Sequence, residues 1–112
     1  MPRVDESFKD HVYALVAVIP HGKLMTYGQL AALCGAAWAA WEVGQIAHTG
    51  PSDLPWQRVV NKQGGLATGY PGGKEGHKRV LEQEGMEVSN EYRVDVERLL
   101  WWPKNHGPSQ LL

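Results

Sequence analysis

Apolar side chains recur at helical spacing near the start of the chain, where Phe8, Val12, Leu15, Val16 and Ile19 fall on one stripe. Ser7 stands before the stripe as a good N-cap, and Pro20 with Gly22 stops the run, so the pattern predicts a first helix with one apolar face. Thr26-Tyr27-Gly28-Gln29 then has the form of a capping box, in which the Thr hydroxyl and the Gln side chain satisfy each other's orphan backbone donors. A short helix follows through Leu30, Ala31 and Leu33, with Gly35 placed to end it at C′. After a three-residue pause, Trp38 to His48 reads as another helix, Ala-rich at its start, with Trp41, Val43, Ile46 and Ala47 supplying apolar surface and Gly50-Pro51 closing it. A longer helix followed by two short ones around a Gly-containing turn is a helix-turn-helix pattern, which helical hairpins that never touch DNA also share.

Beyond Pro55, Arg58-Val59-Val60 and Leu66-Ala67 flank the polar stretch Asn61-Lys62-Gln63-Gly64-Gly65 and predict a small β hairpin, a wing beside the helix-turn-helix. Gly69-Tyr70-Pro71-Gly72-Gly73 reads as a loop whose glycines let the backbone approach something closely. A last helix from about Lys74 to Glu84, with Val80 and Leu81 inward and Gly85 as its stop, precedes a mixed segment that ends in Leu99-Leu100-Trp101-Trp102-Pro103. The expected fold is therefore mainly α: one winged helix-turn-helix domain over residues 1–103, with a disordered tail over residues 104–112, which lack periodicity. No internal repeat suggests a second domain.

Composition changes this picture at two points. The chain has 112 residues and one cysteine, so an internal disulfide is excluded, and no apolar run approaches the ~20 residues of a membrane span. The acidic start, Met1-Pro2-Arg3-Val4-Asp5-Glu6, lacks the apolar stretch of a signal peptide, which leads us to expect a reducing intracellular setting, cytoplasmic and nucleoid-associated or nuclear in a eukaryote. The formal net charge of −1 argues at first sight against a nucleic-acid partner. The charges are segregated, however. Between Pro55 and Val80 stand Arg58, Lys62, Lys74, Lys78 and Arg79 against Glu75, whereas Leu81 to Glu97 holds Glu82, Glu84, Glu87, Glu91, Asp95 and Glu97 against Arg93. A basic segment rich in turn residues can track phosphates if the acidic zone faces away; a solvated surface of mixed sign gives the same counts.

The residues support little catalytic chemistry by themselves. His11, His21, His48, His77 and His106 show no ligand-like spacing around Cys34, so no metal is expected. Cys34, four residues after Leu30, reads as a buried structural thiol rather than a thiolate nucleophile. The Gly72-Gly73 pair follows no strand and lacks the spacing of a nucleotide-phosphate loop, so no cofactor is expected.

Pro55-Trp56-Gln57-Arg58-Val59-Val60, taken with Ile19-Pro20-His21-Gly22-Lys23, Thr26-Tyr27-Gly28-Gln29-Leu30-Ala31 and Gly65-Leu66-Ala67-Thr68-Gly69-Tyr70-Pro71-Gly72-Gly73, resembles in order and spacing the C-terminal DNA-binding domain of the O6-alkylguanine-DNA alkyltransferases. The resemblance runs from about Phe8 to Met86. The family's active-site signature is Pro-Cys-His-Arg-Val; here Trp56 stands where the alkyl-accepting cysteine belongs and Gln57 where the histidine follows it. That substitution is the mark of the alkyltransferase-like proteins, which bind alkylated guanine without repairing it, and Trp102-Pro103 resembles the short ending of that subgroup. Direct dealkylation needs a thiolate and a base to take its proton; an indole and a carboxamide supply neither. Glu84 matches the third member of the transferase network, but with nothing to activate it reads as a solvated carboxylate at a helix end.

The resemblance implies a binding device for double-stranded DNA that flips O6-alkylguanine out of the stack, shields it, bends the DNA through the minor groove and directs the lesion to nucleotide excision repair proteins. It assigns Tyr27, within the Thr26 to Gln29 motif, to the phosphate beside the flipped nucleotide, against the alternative of a residue that merely packs. Trp56 and Tyr70, with the Gly69 and Gly72 backbones, would line the lesion pocket; the alternative for Trp56 is a core tryptophan. Arg58 would hold the pocket loop through backbone hydrogen bonds, and Lys23, Lys62 and Lys74 are candidate phosphate contacts. The family places an arginine in the stack where Ala40-Trp41-Glu42-Val43-Gly44 carries Trp41. An indole there can act as an apolar wedge, though without the charge and hydrogen bonds of arginine, and Glu42 adds repulsion toward phosphate. Packing of Trp38 and Trp41 into the core is the other reading. The expected protein is a monomeric sensor; a divergent base-modifying enzyme and a winged-helix transcription regulator stay open as other classes.

Overall fold

The computed structural model describes residues 5–103. Helix α1 covers Glu6–Ala17, and its cap is Asp5 rather than the expected Ser7: the Asp5 carboxylate accepts from the Phe8 N–H at 3.1 Å, and a negative group suits the positive end of the helix. Its stripe buries Phe8, Val12 and Val16, and Ile19 is buried just past the end. The helix stops at Ala17, earlier than the stripe suggests, because a residue before proline disfavours helical backbone and the chain turns out ahead of Pro20.

Strand β1, Met25–Thr26, runs directly into α2, Tyr27–Leu33. The capping box forms as expected, with the Thr26 hydroxyl accepting from the Gln29 N–H at 3.0 Å and Gln29 Oε1 accepting from the Thr26 N–H at 3.1 Å. Gln29 also donates to the Trp101 carbonyl at 2.6 Å, so this buried amide staples the segment after the last helix to the helix-turn-helix. Gly35 follows at φ +90°, a left-handed position open to glycine without strain. Helix α3 is Ala40–Thr49 and packs against α2 through Val43 and Ile46. It begins two residues after the expected Trp38, and its N-cap, Ala39, carries no capping side chain.

The wing takes a different form from the expected hairpin. A 3-10 turn, Trp56–Arg58, leads into β2, Val59–Val60, which pairs in parallel with β1, Met25 opposite Val59 and Thr26 opposite Val60. Leu66-Ala67 is not its partner; instead Asn61 folds the intervening loop, its Oδ1 accepting from the Gln63 N–H at 2.9 Å and from the Gly65 N–H at 2.7 Å. Gly65 bridges Arg93, and Leu100 continues the edge of the sheet beside Leu24. The reason is burial: Val59 and Val60 are both fully buried, and a strand lying between two cores gains more than one in an exposed hairpin wing.

Alternation along the strands divides the interior in two. Met25 and Val59 face a core with α1, α2 and α3, while Leu24 and Val60 face a second with Leu66, Leu81, Met86 and Val94. Helix α4, Gly73–Gln83, seals the second core with His77 and Leu81; Val80, expected inward, is half-buried. Gly85 ends the turn after it at φ +86°. A short α5, Val96–Leu99, is capped by Asp95. Among the described residues no helix is long and apolar enough to cross a membrane. The tail expected over residues 104–112 lies outside the described residues.

Candidate nucleic-acid interface

A groove of about 910 Å³ opens between the helix-turn-helix and the segments around α4. Of the residues singled out from sequence, Tyr27, Trp41, Trp56, Gly69, Tyr70 and Lys74 line it. Thr26 and Gln29 do not; they build the start of α2 and so place Tyr27. Arg58, Gly72, Lys23 and Lys62 also lie outside the lining. Lys23 and Lys62 are exposed, and Gly72 sits at φ +83° as the N-cap of α4, where the chain turns from the groove into the helix.

Trp56 is half-buried and serves both readings, as a wall of the groove and as a partner of the first core. Its Nε1–H donates to the Pro51 carbonyl at 2.9 Å, and Tyr13 meets the ring edge-on, with centroids 6.1 Å apart and planes at 81°. The indole N–H is thus used within the protein, and an apolar face is what the groove receives. Gly50 makes the seat possible: a Cβ there would stand 2.9 Å from Trp56 Cζ2 and 2.8 Å from the Ile46 carbonyl oxygen.

The turn carrying Trp56 is fixed from behind by a buried polar network. Arg58 Nε donates to Glu84 Oε1 and Oε2 at 3.0 and 3.1 Å, and Arg58 Nη1 donates to the Ile19 carbonyl at 2.7 Å. Glu84 further accepts from the Gln57 amide at 2.8 Å and from the Gly22 N–H at 2.9 Å. Glu84 is therefore not the solvated carboxylate that its place at a helix end suggests, since its side chain is only 6% exposed. Burial by itself raises its pKa, but the Gly22 N–H, the Gln57 amide and the Arg58 guanidinium outweigh burial and hold it below the usual carboxylate value.

On the opposite wall, Tyr70 stacks on His77, with centroids 4.7 Å apart and planes at 22°. Burial raises the Tyr70 phenol, helped by the nearby Glu84 charge, and burial raises that of Tyr27, so both hydroxyls stay protonated near neutrality. Gly69 passes close to the end of α3, where an added Cβ would lie 3.1 Å from His48 Nδ1. No Asp or Glu contributes to the lining among the described residues; Lys74 and His48 stand at its rim.

Trp41 and Trp38 are 71% and 62% exposed, so neither is packed into the core. Trp41 reaches the groove from the first turn of α3, with Glu42 beside it; Trp38 lies before the helix and outside the lining. Cys34, at the C-cap of α2, is half-buried rather than fully buried, and burial pushes its thiol up to about 11, so it is not a thiolate at neutral pH. Among the described residues no cluster of three or more His, Cys, Asp or Glu could hold a metal ion. His77 and the Glu84 network were missed from sequence. The spacing of His77 to Leu81, one turn apart on the inward face, was the available signal for His77; nothing local betrays that Glu84 folds back on Arg58.

A helix-turn-helix whose recognition side opens into a groove walled by tryptophan and tyrosine, and lined without a carboxylate, defines a DNA-binding domain with room for an extruded base. The chain belongs to the family of the 6-O-methylguanine DNA methyltransferase DNA binding domain, which its residues 7–86 match. Within it the chain is similar to Alkyltransferase-like protein 1 of Schizosaccharomyces pombe, at 36% identity over 108 residues that cover 90% of this chain and 99% of that one. It is also 37% identical over 99 residues to the DNA base-flipping protein of Escherichia coli, covering 87% of this chain and 76% of that one. The fold is similar to S. pombe Atl1 in complex with damaged DNA containing O6-carboxymethylguanine, with a TM-score of 0.81, 31% identity and coverage of 90% of this chain and all of that one.

Proposed function

We propose that this protein is a non-enzymatic, monomeric sensor of O6-alkylguanine in double-stranded DNA, which extrudes the damaged base into the groove and directs it to nucleotide excision repair. The observation that carries the reading is the state of Trp56 and Gln57. The groove wall presents an indole whose N–H is taken by the Pro51 carbonyl, and the neighbouring amide donates to Glu84, so neither of these two side chains offers the base a nucleophile or a general base. An O6-alkylated guanine pairs poorly, and its extrusion is less costly than that of a normal base.

In this reading Trp56 and Tyr70 receive the faces of the base, and the Gly69 backbone allows close approach. Gly72 shapes the loop, and Arg58 fixes the turn that carries Trp56. Tyr27 acts on the phosphate beside the flipped nucleotide, with Thr26 and Gln29 holding it in place, and Trp41 wedges into the stack from α3. Lys74 at the groove rim, with Lys23 and Lys62 on the surface, supplies phosphate contacts. Residues 1–103 act as one domain, and the protein works where DNA is, in the nucleoid or nucleus.

Binding to duplex containing O6-methylguanine should be tighter than to undamaged duplex, with no gain of mass on the protein and the lesion intact in the recovered DNA. Equal affinity for both duplexes sinks the sensor reading, and binding that follows sequence instead would mark a transcription regulator. A methyl group gained by the protein, or an altered base in the DNA, would mark an enzyme. Faster incision of the lesion when the protein is added to a reconstituted excision reaction tests the repair link.

A further inference from the structure

His77 is fully buried, and both of its ring nitrogens are committed to backbone. Nδ1 accepts from the Ala67 N–H at 3.0 Å, which leaves the proton on Nε2 to donate to the Gln57 carbonyl at 2.8 Å. Gln57 and Ala67 both line the groove but come from different segments, the turn that carries Trp56 and the chain that leads to Gly69 and Tyr70. One imidazole therefore sets the spacing between two walls. Its face is given to Tyr70, stacked at 4.7 Å and 22°, and Tyr70 belongs to neither apolar core. A leucine would fill the same space but could not clamp two backbones and present a flat ring at once. Burial pushes the imidazole below its ordinary pKa, against the pull of the Gln57 carbonyl, which favours the neutral form that this arrangement requires.

We propose that His77 is a positioning residue for lesion recognition: by clamping Gln57 to Ala67 and stacking on Tyr70, it sets the angle at which Tyr70 closes on an extruded purine. The proposal rests on reading the groove as the lesion pocket. It predicts that His77 governs preference for damaged over undamaged duplex, because an unextruded base never meets Tyr70, while general DNA affinity is left alone.

His77→Gln keeps an acceptor and a donor but removes the ring. Its preference for O6-methylguanine duplex should fall roughly three- to tenfold, the scale of one lost aromatic pair, with affinity for undamaged duplex unchanged. In a Tyr70→Ala background the same change should cause no further loss, because His77 acts through Tyr70. The proposal is overturned if His77→Gln keeps the full preference, if its loss adds to that of Tyr70→Ala, or if both duplexes weaken alike. If His77→Gln does not fold, nitrogen NMR of the unaltered protein decides: the His77 signals, in the Nε2–H tautomer, should shift with lesion duplex and stay with undamaged duplex, and signals indifferent to the lesion overturn the proposal. If the unaltered protein itself binds both duplexes equally, the lesion-pocket reading fails; preference retained by His77→Gln removes the positioning role alone.

Discussion

The Arg58 guanidinium and the Glu84 carboxylate meet behind the groove at 3.0 and 3.1 Å, with side chains only 16% and 6% exposed. Through this pair the turn bearing Trp56, the end of α4 and the Ile19 to Gly22 turn before the helix-turn-helix become one unit, since Arg58 also holds the Ile19 carbonyl and Glu84 the Gly22 N–H. The Glu84 carboxylate thus joins three segments of the fold that are far apart in sequence.

Glu84→Gln leaves Arg58 buried without a counter-charge and should lower unfolding free energy by about 3 kcal/mol, read from the urea midpoint. The pH dependence has a definite sign. The folded Glu84 pKa lies below its ordinary value of 4.5, so its stabilisation is present above pH 4.5 and is lost as pH falls through the lower folded value. The unaltered protein should lose stability across that acidic range more steeply than Glu84→Gln; equal slopes would show that the carboxylate is not held in its charged form.

Trp56→Ala removes a groove wall and a core partner together, so both stability and lesion affinity should drop, the latter by about 1 to 3 kcal/mol if a base stacks there. Trp56→Phe keeps an aromatic face and leaves the exposed Pro51 carbonyl to water, and should retain most of the lesion affinity. Titration of both variants with O6-methylguanine duplex separates the stacking face from the N–H.

Trp41 is exposed in the free protein, so Trp41→Ala should leave stability within about 0.5 kcal/mol while weakening DNA binding. Trp41→Arg should bind more tightly and steepen the salt dependence by roughly one phosphate's worth of released counterion. No change in either variant would mean that α3 does not enter the stack.

Cys34, with its thiol held near 11 by burial, should resist iodoacetamide at pH 8 and react faster only as pH climbs toward that value. Rapid modification at neutral pH, followed by intact mass, would contradict the packing around the end of α2.

Gly35 and Gly64 both hold left-handed backbone, at φ +90° and +82°, but only Gly35 faces open space. Gly35→Ala should cost about 1 kcal/mol in thermal or chemical unfolding. Gly64→Ala should cost more than twice that, since its Cβ would collide with the Val94 carbonyl oxygen, a neighbour fixed in the second core by the Val94 to Gly64 backbone pairing.

The helix-turn-helix was legible along the chain because its signals are local. The Thr26 to Gln29 capping box, the α1 stripe and Gly35 each depend on residues within one or two turns; the box and Gly35 form as read, and the stripe does so up to Val16. The sequence misled at the start of α1, where Ser7 reads as the cap but the Asp5 carboxylate takes the Phe8 N–H. The groove was partly legible, through the order of its motifs, which put Trp56, Tyr70 and Tyr27 on one side of the fold.

The amino-acid order alone determined the family and the helical start and stop points to within a few residues, because these follow from residue type and short-range spacing. Tertiary structure decided the rest. Val59-Val60 chose Met25-Thr26 over Leu66-Ala67 because a strand between two cores buries both of its faces. Glu84 found Arg58 across 26 residues, His77 joined Gln57 to Ala67, and Trp41 stayed in solvent despite its place on an amphipathic pattern. Such outcomes depend on which surfaces the folded chain brings together and which it leaves uncovered, and no window along the chain contains them.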